Sequence, residues 1–147
     1  MSDSDLIKLY SARILGLAAD IPHLGRLPAP QGTARRRSPL CGSTVTVDVM
    51  VKDGRVADFA QDVKACALGQ ASAAVLGQVV IGRTLPELQT ARDALRAMLK
   101  DGAPVPAAPF QGYEVLLPAR DYKNRHASIL LALEAVCEAM ESAQAAA

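Results

Sequence analysis

Three features of the sequence predict an α+β fold in which a small antiparallel sheet, built around a β-hairpin, packs against several helices. Residues 44–51 alternate Val with mostly polar side chains, which is the period of a half-buried strand. Asp53-Gly54 is a turn signal, and residues 56–63 read as the returning strand. Helical patterns lie on both sides of this hairpin. Because a hairpin alone is only marginally stable, we expect at least one more strand to join it.

The helices are predicted in chain order from apolar spacing and capping residues. Residues 4–18 carry apolar side chains at helical spacing, and residues 68–81 are small and apolar, as in a helix packed closely against a sheet. Thr84 opens a capping box with Pro in the first turn, and its helix should run to about residue 100. A last helix is expected from about residue 123 or 126 to residue 141.

The connecting segments are expected to be irregular. Residues 20–39 are rich in Pro and Gly and read as a long loop that contains an arginine run at 35–37. Residues 102–109 read as a Pro/Ala loop, and residues 113–117 as a short strand or an irregular link. The Ala-rich tail at 143–147 is expected to fray.

Length and composition predict a single domain over residues 1–147 with an aliphatic core, since half of the residues are apolar and only 3% are aromatic. The net charge of +1 gives no reason to propose nucleic acid or an anionic membrane as a partner. The opening residues lack the basic and apolar regions of a signal peptide, and no apolar run approaches the ~20 residues that span a bilayer. We therefore expect a cytoplasmic protein.

The three cysteines, Cys41, Cys66 and Cys137, are too few for a disulfide framework, and their odd number leaves one unpaired. In a reducing cytosol they read as buried apolar residues, metal ligands or nucleophiles. Their local settings are therefore the main evidence on function.

The hairpin brings two of these cysteines together. With a turn at Asp53-Gly54, the numbers of opposed residues sum to about 107 or 108, which places Cys41 and Cys66 within one residue of being opposite at the open end. Directly opposed Cα atoms lie roughly 4.5–5.5 Å apart, close enough for two thiolates to share a metal at ~2.3 Å each. Cys66 immediately precedes a predicted helix, whose positive end favours a thiolate, and Lys64 adds positive charge. Two buried structural thiols remain the alternative interpretation.

Several motifs around these cysteines resemble those of the U-type iron–sulfur assembly scaffolds, the IscU, SufU and NifU N-terminal family. Residues 38–43, Ser-Pro-Leu-Cys-Gly-Ser, resemble the family's Asn-Pro-x-Cys-Gly-Asp loop. Residues 64–73, Lys-Ala-Cys-Ala-Leu-Gly-Gln-Ala-Ser-Ala, resemble its second cysteine and the small-residue helix that follows. Leu-Pro-Ala-Arg at 117–120 and Arg-His-Ala-Ser at 125–128 resemble the segment that carries its third cysteine. The resemblance covers nearly the whole chain in the right order and implies a SufE/NifU-like fold.

The resemblance also implies a function. In this family a pyridoxal-phosphate cysteine desulfurase passes sulfur to the scaffold, iron is added, and a small cluster, most often [2Fe-2S], is assembled and handed to acceptor proteins. The ligands are three cysteines and the Asp after the first Cys-Gly, and zinc often occupies the same site. A scaffold of this kind is not an enzyme, and the sequence contains no catalytic triad order, P-loop or dinucleotide fingerprint.

Two of the four ligand positions differ from the family pattern. Ser43 stands at the Asp position, and the third cysteine position aligns with His126. Imidazole is a good ligand for iron and zinc, so the resemblance implies a metal site of Cys41, Cys66 and His126, with Ser43 and Lys64 as neighbours. Ser43 is expected to lie in a solvent-facing loop, where water or an exogenous thiol would complete the metal's shell.

The remaining cysteine is not expected to be a ligand. In a helical segment, Cys137 would lie ~16 Å along the axis from His126. It should pack beside Val136 or face solvent.

Two rival interpretations remain open. One is a diverged protein of the same fold that holds a permanent zinc ion. The other is a sulfur-transfer protein that carries a persulfide on Cys41 or Cys66. The arginine run at 35–37 reads as a solvated loop, with desulfurase docking or anion attraction as the alternative.

Overall fold

The computed structural model describes residues 10–40 and 42–146 and forms a three-stranded antiparallel sheet covered on one face by helices. The strands are β1 (Gly32–Arg37), β2 (Thr44–Lys52) and β3 (Arg55–Lys64). The helices are α1 (Ala12–Ala19), α2 (Ala67–Val79), α3 (Leu85–Lys100) and α4 (Lys123–Ala145), and a 3₁₀ segment, Gln111–Asp121, precedes α4. The predicted α+β class is confirmed.

The predicted hairpin is confirmed as β2 and β3. Opposed residue numbers sum to 108 from Thr44 to Met50, and a register shift follows between Met50 and Val51. Asp53 and Gly54 both adopt positive φ, at 55° and 74°, as the two central residues of a type I′ hairpin turn require.

The third strand lies where a loop was expected. Residues 32–37 pair with β2 at the edge of the sheet, in the order β1-β2-β3. One face of this strand is covered by α4, and Gly32 packs directly on that helix. A Cβ at position 32 would lie 2.0 Å from the Ala139 carbonyl oxygen, so glycine alone allows this approach. The prediction of an irregular segment over residues 20–39 is therefore wrong for residues 32–37.

Helix α4 lies at the centre of the molecule. It packs against β1 and β2 on one side and against α2 and α3 on the other. Most of its side chains are buried, which explains why its sequence shows only a weak amphipathic pattern. The buried core is almost entirely aliphatic, with Phe59, Phe110 and Tyr113 as its aromatic members.

Several boundaries differ from those predicted. The tail frays less than expected, because Ala143 is buried and α4 continues to Ala145. Residues 113–117 belong to the 3₁₀ segment rather than to a strand. The opening helix begins at Ala12, and the part predicted over residues 4–9 lies outside the described residues. The capping box at Thr84 is confirmed, with Thr84 and Glu87 bonding each other's backbone N–H.

Within residues 10–40 and 42–146, none of the helices has the length and apolarity to cross a membrane.

Candidate metal centre

Cys66 lies where β3 ends and α2 begins. It is the N-cap residue of α2, with an extended backbone, and its carbonyl accepts the Gln70 N–H at 2.9 Å. Its side chain makes no capping hydrogen bond to the helix, so the sulfur is not engaged by the helix N–H groups. The residue is half-buried, which leaves the sulfur within reach of a ligand.

The Cys66 sulfur belongs to a small polar cluster, with one residue from each of three segments. Cys66 Sγ lies 3.4 Å from the Ser128 hydroxyl of α4, and Ser128 Oγ lies 3.1 Å from Ser43 Oγ. Ser43 and Ser128 are 4% and 1% exposed. We call these three residues the thiol–hydroxyl cluster. The cluster contains no carboxylate, and Ser128 links the Cys66 sulfur to Ser43.

Gly69 makes the cluster possible, because it lets α4 approach α2 closely. A Cβ at position 69 would lie 2.6 Å from Ser128 Oγ and 2.8 Å from the Ala65 Cβ. Any larger residue would therefore push Ser128 away from Cys66.

A tight turn joins β1 to β2 beside this cluster. The Ser38 N–H donates to the Ser43 carbonyl at 2.8 Å, and the Gly42 N–H donates to the Ser38 carbonyl at 3.1 Å. Gly42 has a φ of 70°, a left-handed conformation that glycine adopts without strain. Cys41 belongs to this turn but lies outside the described residues. Ser38 Oγ is buried and has no hydrogen-bond partner among the residues described, so the turn retains one unused polar atom.

The expectation that Ser43 faces solvent is wrong. Ser43 is the residue before β2, and it points toward α4 because its neighbour Thr44 lies on the opposite face of the sheet. An Asp at this position would place a carboxylate in a buried site, and it would need a cation to balance its charge.

His126 lies at the start of α4, on a different side of the helix from Ser128. Two positions along a helix correspond to a rotation of about 200°. The His126 Nε2 lies 3.1 Å from the Ala119 carbonyl oxygen and 3.0 Å from the Arg120 carbonyl oxygen, at the end of the 3₁₀ segment. A nitrogen that faces two acceptors carries the proton and donates it, which leaves the Nδ1 lone pair for other partners. The structure therefore does not bring His126 into the thiol–hydroxyl cluster.

The positions of Lys64 and Cys137 follow from their exposure and burial. Lys64 is the last residue of β3 and is exposed on the outer face of the sheet. Cys137 is 1% exposed within α4, and burial raises the pKa of its thiol to about 11. A neutral, buried thiol is a poor ligand and a poor nucleophile. Of the two environments expected for Cys137, the structure shows the buried one.

Sequence reasoning missed Ser128 and Gly69, although both lie inside the motifs that carried the resemblance. A serine within a helix gives no signal of its own, because its role depends on which helix packs opposite. Gly69 had a usable signal, since a glycine inside a helical pattern suggests close packing. In the described part of the chain, no three His, Cys, Asp or Glu side chains are grouped to hold a metal, and Cys41 is not in that part.

Comparisons with known proteins identify the family and support the fold. The family model described as the NifU-like N-terminal domain matches residues 9–128. Two curated relatives from Archaeoglobus fulgidus, the iron–sulfur cluster assembly scaffold proteins IscU 1 and IscU 2, are each 26% identical over 92 residues. The matched segment covers 62% of this chain and 60% of each relative.

Solved structures extend the similarity to almost the full chain. The N-terminal part of a nitrogen-fixing NifU-like protein from Brucella abortus is 45% identical, with a TM-score of 0.93, over 97% of this chain and 99% of that one. A protein from Fervidobacterium islandicum, assigned as the iron–sulfur cluster assembly scaffold of the SUF system, shares the fold at 20% identity. Its TM-score is 0.80, over 91% of this chain and 98% of that one.

Proposed function

We propose, from the premise that the chain belongs to the NifU-like N-terminal domain family, that it is an iron–sulfur cluster assembly scaffold. Its cargo would be iron or a small cluster, with [2Fe-2S] as the most suitable, assembled from sulfur that a cysteine desulfurase supplies. The cluster would then pass to acceptor proteins in the cytoplasm. In this role the chain holds cargo and does not itself catalyse a reaction.

The observation that carries the proposal is the setting of Cys66. Cys66 is half-buried, and its sulfur lies beside Ser128, whose hydroxyl bonds to Ser43, two residues along the sequence from Cys41. Cys41 and Cys66 would supply the two thiolates, which suit iron and zinc better than oxygen ligands do. The uncharged hydroxyls of Ser43 and Ser128 can donate hydrogen bonds to a metal-bound sulfur, and such outer contacts tune metal affinity.

His126 is proposed as the third ligand, binding through Nδ1. Metal-binding histidines usually donate their other ring N–H to a backbone carbonyl or a carboxylate, and His126 Nε2 already faces two carbonyls. Because the ring lies on a different side of α4 from Ser128, a metal bound by both Cys66 and His126 would require one of these two side chains to move.

The experiment is anaerobic reconstitution with iron and sulfide, followed by visible absorption. We expect a cluster spectrum from the wild type, and none from Cys41→Ala or Cys66→Ala, because each removes one of only two thiolates. Cys137→Ala is the matched control, since that thiol is buried and outside the cluster. Equal loss of the spectrum in all three variants, with melting temperatures unchanged, would show that the site is misplaced.

The role of His126 needs a variant that separates ligation from packing. His126→Gln retains an N–H near the position of Nε2, so it can still donate to the Ala119 and Arg120 carbonyls, but it lacks the Nδ1 lone pair. If His126 is a ligand, this variant keeps its melting temperature and loses iron to a chelator faster than the wild type. If chelators strip both proteins at the same rate, the histidine only anchors α4 to the 3₁₀ segment.

The lack of a carboxylate in the thiol–hydroxyl cluster favours one alternative, a diverged protein that holds zinc or carries a persulfide. Ser43 is a weaker ligand than the family's Asp, so a cluster is held less firmly than in family members that keep the Asp. Metal analysis of anaerobically purified protein distinguishes zinc from iron. Mass spectrometry after incubation with a cysteine desulfurase and cysteine would show one added sulfur atom on Cys66 if the protein carries a persulfide.

A further inference from the structure

The two faces of the sheet differ in what covers them. Side chains alternate along a strand, so β1 directs Thr33, Arg35 and Arg37 to the face opposite α4. On β2 and β3 the same outer face carries Thr44 and Lys64, which are paired directly across the strands. The helices pack on the inner face, where α4 contacts β1 and β2.

Only one half of the outer face is covered by other residues. At Asp48 the segment before β1 crosses the sheet, where Arg26 and the Leu27 N–H both bond to the Asp48 carboxylate. The other half, next to the turn at residues 38–43, is not covered by the described residues and forms a depression of about 430 Å³. It is lined by Arg26, Thr33, Arg35, Thr44, Thr46, Asp62 and Lys64.

The open half has an excess of positive charge. Arg35, Arg37 and Lys64 are exposed and make no ion pair with any described residue, and Asp62 is the single acidic side chain in the lining. Arg36, one position along and on the inner face, is by contrast paired with Glu138 at 2.6 Å. The two outward arginines of the run are therefore left without counterions among the described residues.

The backbone at this edge also lacks partners. The Ser38 N–H bonds to the Ser43 carbonyl, which marks that pair as hydrogen-bonded. Since such pairs alternate in an antiparallel ladder, Ala34 and Arg36 bond to β2, and the N–H and C=O groups of Thr33, Arg35 and Arg37 face away from the sheet. No described residue bonds to those outward groups.

We propose that β1 is a docking edge for an acidic, extended segment of a partner protein. The segment would add a fourth strand beside β1 and place its carboxylates against Arg35 and Arg37. Residues two apart on a strand lie about 6.6–6.8 Å apart, so acidic residues at alternate positions would match the two arginines.

The outward backbone groups and the arginines of β1 together favour an acidic polypeptide over other anions as the partner. A row of outward N–H and C=O groups is complementary to another backbone, whereas the phosphate groups of a polyanion accept hydrogen bonds and offer no donors for the carbonyls. Arginines on an edge strand repel basic or self-complementary strands, which leaves acidic segments as the favoured partner. The edge continues directly into the Cys41 turn, so a docked partner would lie next to the candidate metal centre.

The test uses metal-free full-length protein and a synthetic peptide of alternating Glu and Val, so it does not depend on cluster binding. We expect the peptide to slow hydrogen exchange at the Thr33, Arg35 and Arg37 amides by at least tenfold. The Ala34 and Arg36 amides, which are already bonded to β2, should change little. Arg35→Glu/Arg37→Glu should abolish this protection, whereas the double control Lys52→Glu/Lys123→Glu, which makes the same charge change elsewhere, should keep it.

A second variant tests the backbone part of the proposal. Arg35→Pro is compared with Arg35→Ala, since both remove the charge but only Pro also removes one outward N–H, and edge strands tolerate Pro at such positions. Peptide affinity should fall by several fold from Arg35→Ala to Arg35→Pro, while a melting curve verifies the fold. The proposal is overturned if the peptide binds without protecting the outward amides, or if an oligonucleotide of equal charge protects them as well. No protection by any peptide would also overturn it and leave the arginines as guards against strand pairing.

Discussion

Two polar clusters lie on opposite faces of the sheet beside β2. A comparison of their hydrogen bonds distinguishes a structural cluster from one that can bind a ligand. On the outer face, Asp48 is fully buried and accepts hydrogen bonds from Arg26 at 2.6 and 3.1 Å, from Thr33 at 2.7 Å and from the Leu27 N–H at 3.0 Å. On the inner face, Cys66 of the thiol–hydroxyl cluster is half-buried, and its sulfur has one hydrogen-bond partner among the described residues, the Ser128 hydroxyl at 3.4 Å.

The difference lies in how much bonding capacity remains unused. Both Asp48 oxygens already have partners, and the charge is balanced by Arg26, so this cluster can hold the loop before β1 but has little left for a ligand. Among the described residues the Cys66 sulfur has one weak hydrogen bond, to Ser128, and it can gain a strong bond to a metal. Satisfied polar clusters stabilise a fold, whereas incompletely satisfied ones are where binding chemistry can occur.

The largest expected effect comes from breaking the Asp48 cluster. Asp48→Asn keeps the shape but removes the charge that accepts four hydrogen bonds, and should lower the free energy of unfolding by about 2–4 kcal/mol. Urea denaturation at neutral pH measures this, with Asp62→Asn on the same face as the control, since no described residue forms an ion pair with Asp62. If the two variants lose similar stability, the Asp48 cluster has no special structural role.

The same cluster predicts a pH dependence. Burial alone would raise the pKa of the Asp48 carboxyl, but hydrogen bonds from Arg26 and Thr33, with that from the Leu27 N–H, outweigh it and hold the pKa below its ordinary 3.8. A lowered folded-state pKa gives stability that is present above the unfolded-state value and is lost as the pH falls through the folded-state value. The stability gap between wild type and Asp48→Asn should therefore narrow below about pH 4. A gap that stays constant down to about pH 2 would argue against a carboxylate role.

Gly69→Ala tests the second cluster through its packing. The added Cβ would meet Ser128 Oγ at 2.6 Å, so we expect a loss of about 1–3 kcal/mol and faster removal of bound iron by a chelator. Gly16→Ala in α1 is the matched control, because nothing lies within 4 Å of its added Cβ. That control should gain up to about 1 kcal/mol. Unchanged chelation kinetics in Gly69→Ala would separate Ser128 from the metal centre.

Ser128→Ala should have the smallest effect on folding and a specific effect on binding. Removing one buried hydroxyl costs about 1 kcal/mol, and the Cys66 sulfur loses its neighbour, so chelators should strip iron several-fold faster. Ser72→Ala is the control, since Ser72 also bonds across to α4, at 2.6 Å to the Ile129 carbonyl, without touching Cys66. Equal chelation rates in the two variants would limit Ser128 to a packing role.

The sequence predicted the hairpin, its register and the helix after Cys66 because each depends on neighbours along the chain. It could not predict β1, since Gly-Thr-Ala-Arg-Arg-Arg has no apolar alternation and becomes a strand only when Gly32 and Ala34 face α4. The environment of Ser43 was mispredicted for a similar reason. Its burial depends on Ser128, 85 residues away, and on the absence of a side chain at Gly69.

Gly32 has a further consequence for β1. A one-residue slip along β2 would turn every side chain of the strand over and bring Gln31 or Thr33 against the Ala139 carbonyl, where no Cβ fits. Gly32 thus fixes the register of β1 on β2, and with it which arginines point to water and which one pairs with Glu138. If the glycine moved by one position in the sequence, the register would shift and the arginines would exchange faces, even if every arginine were kept.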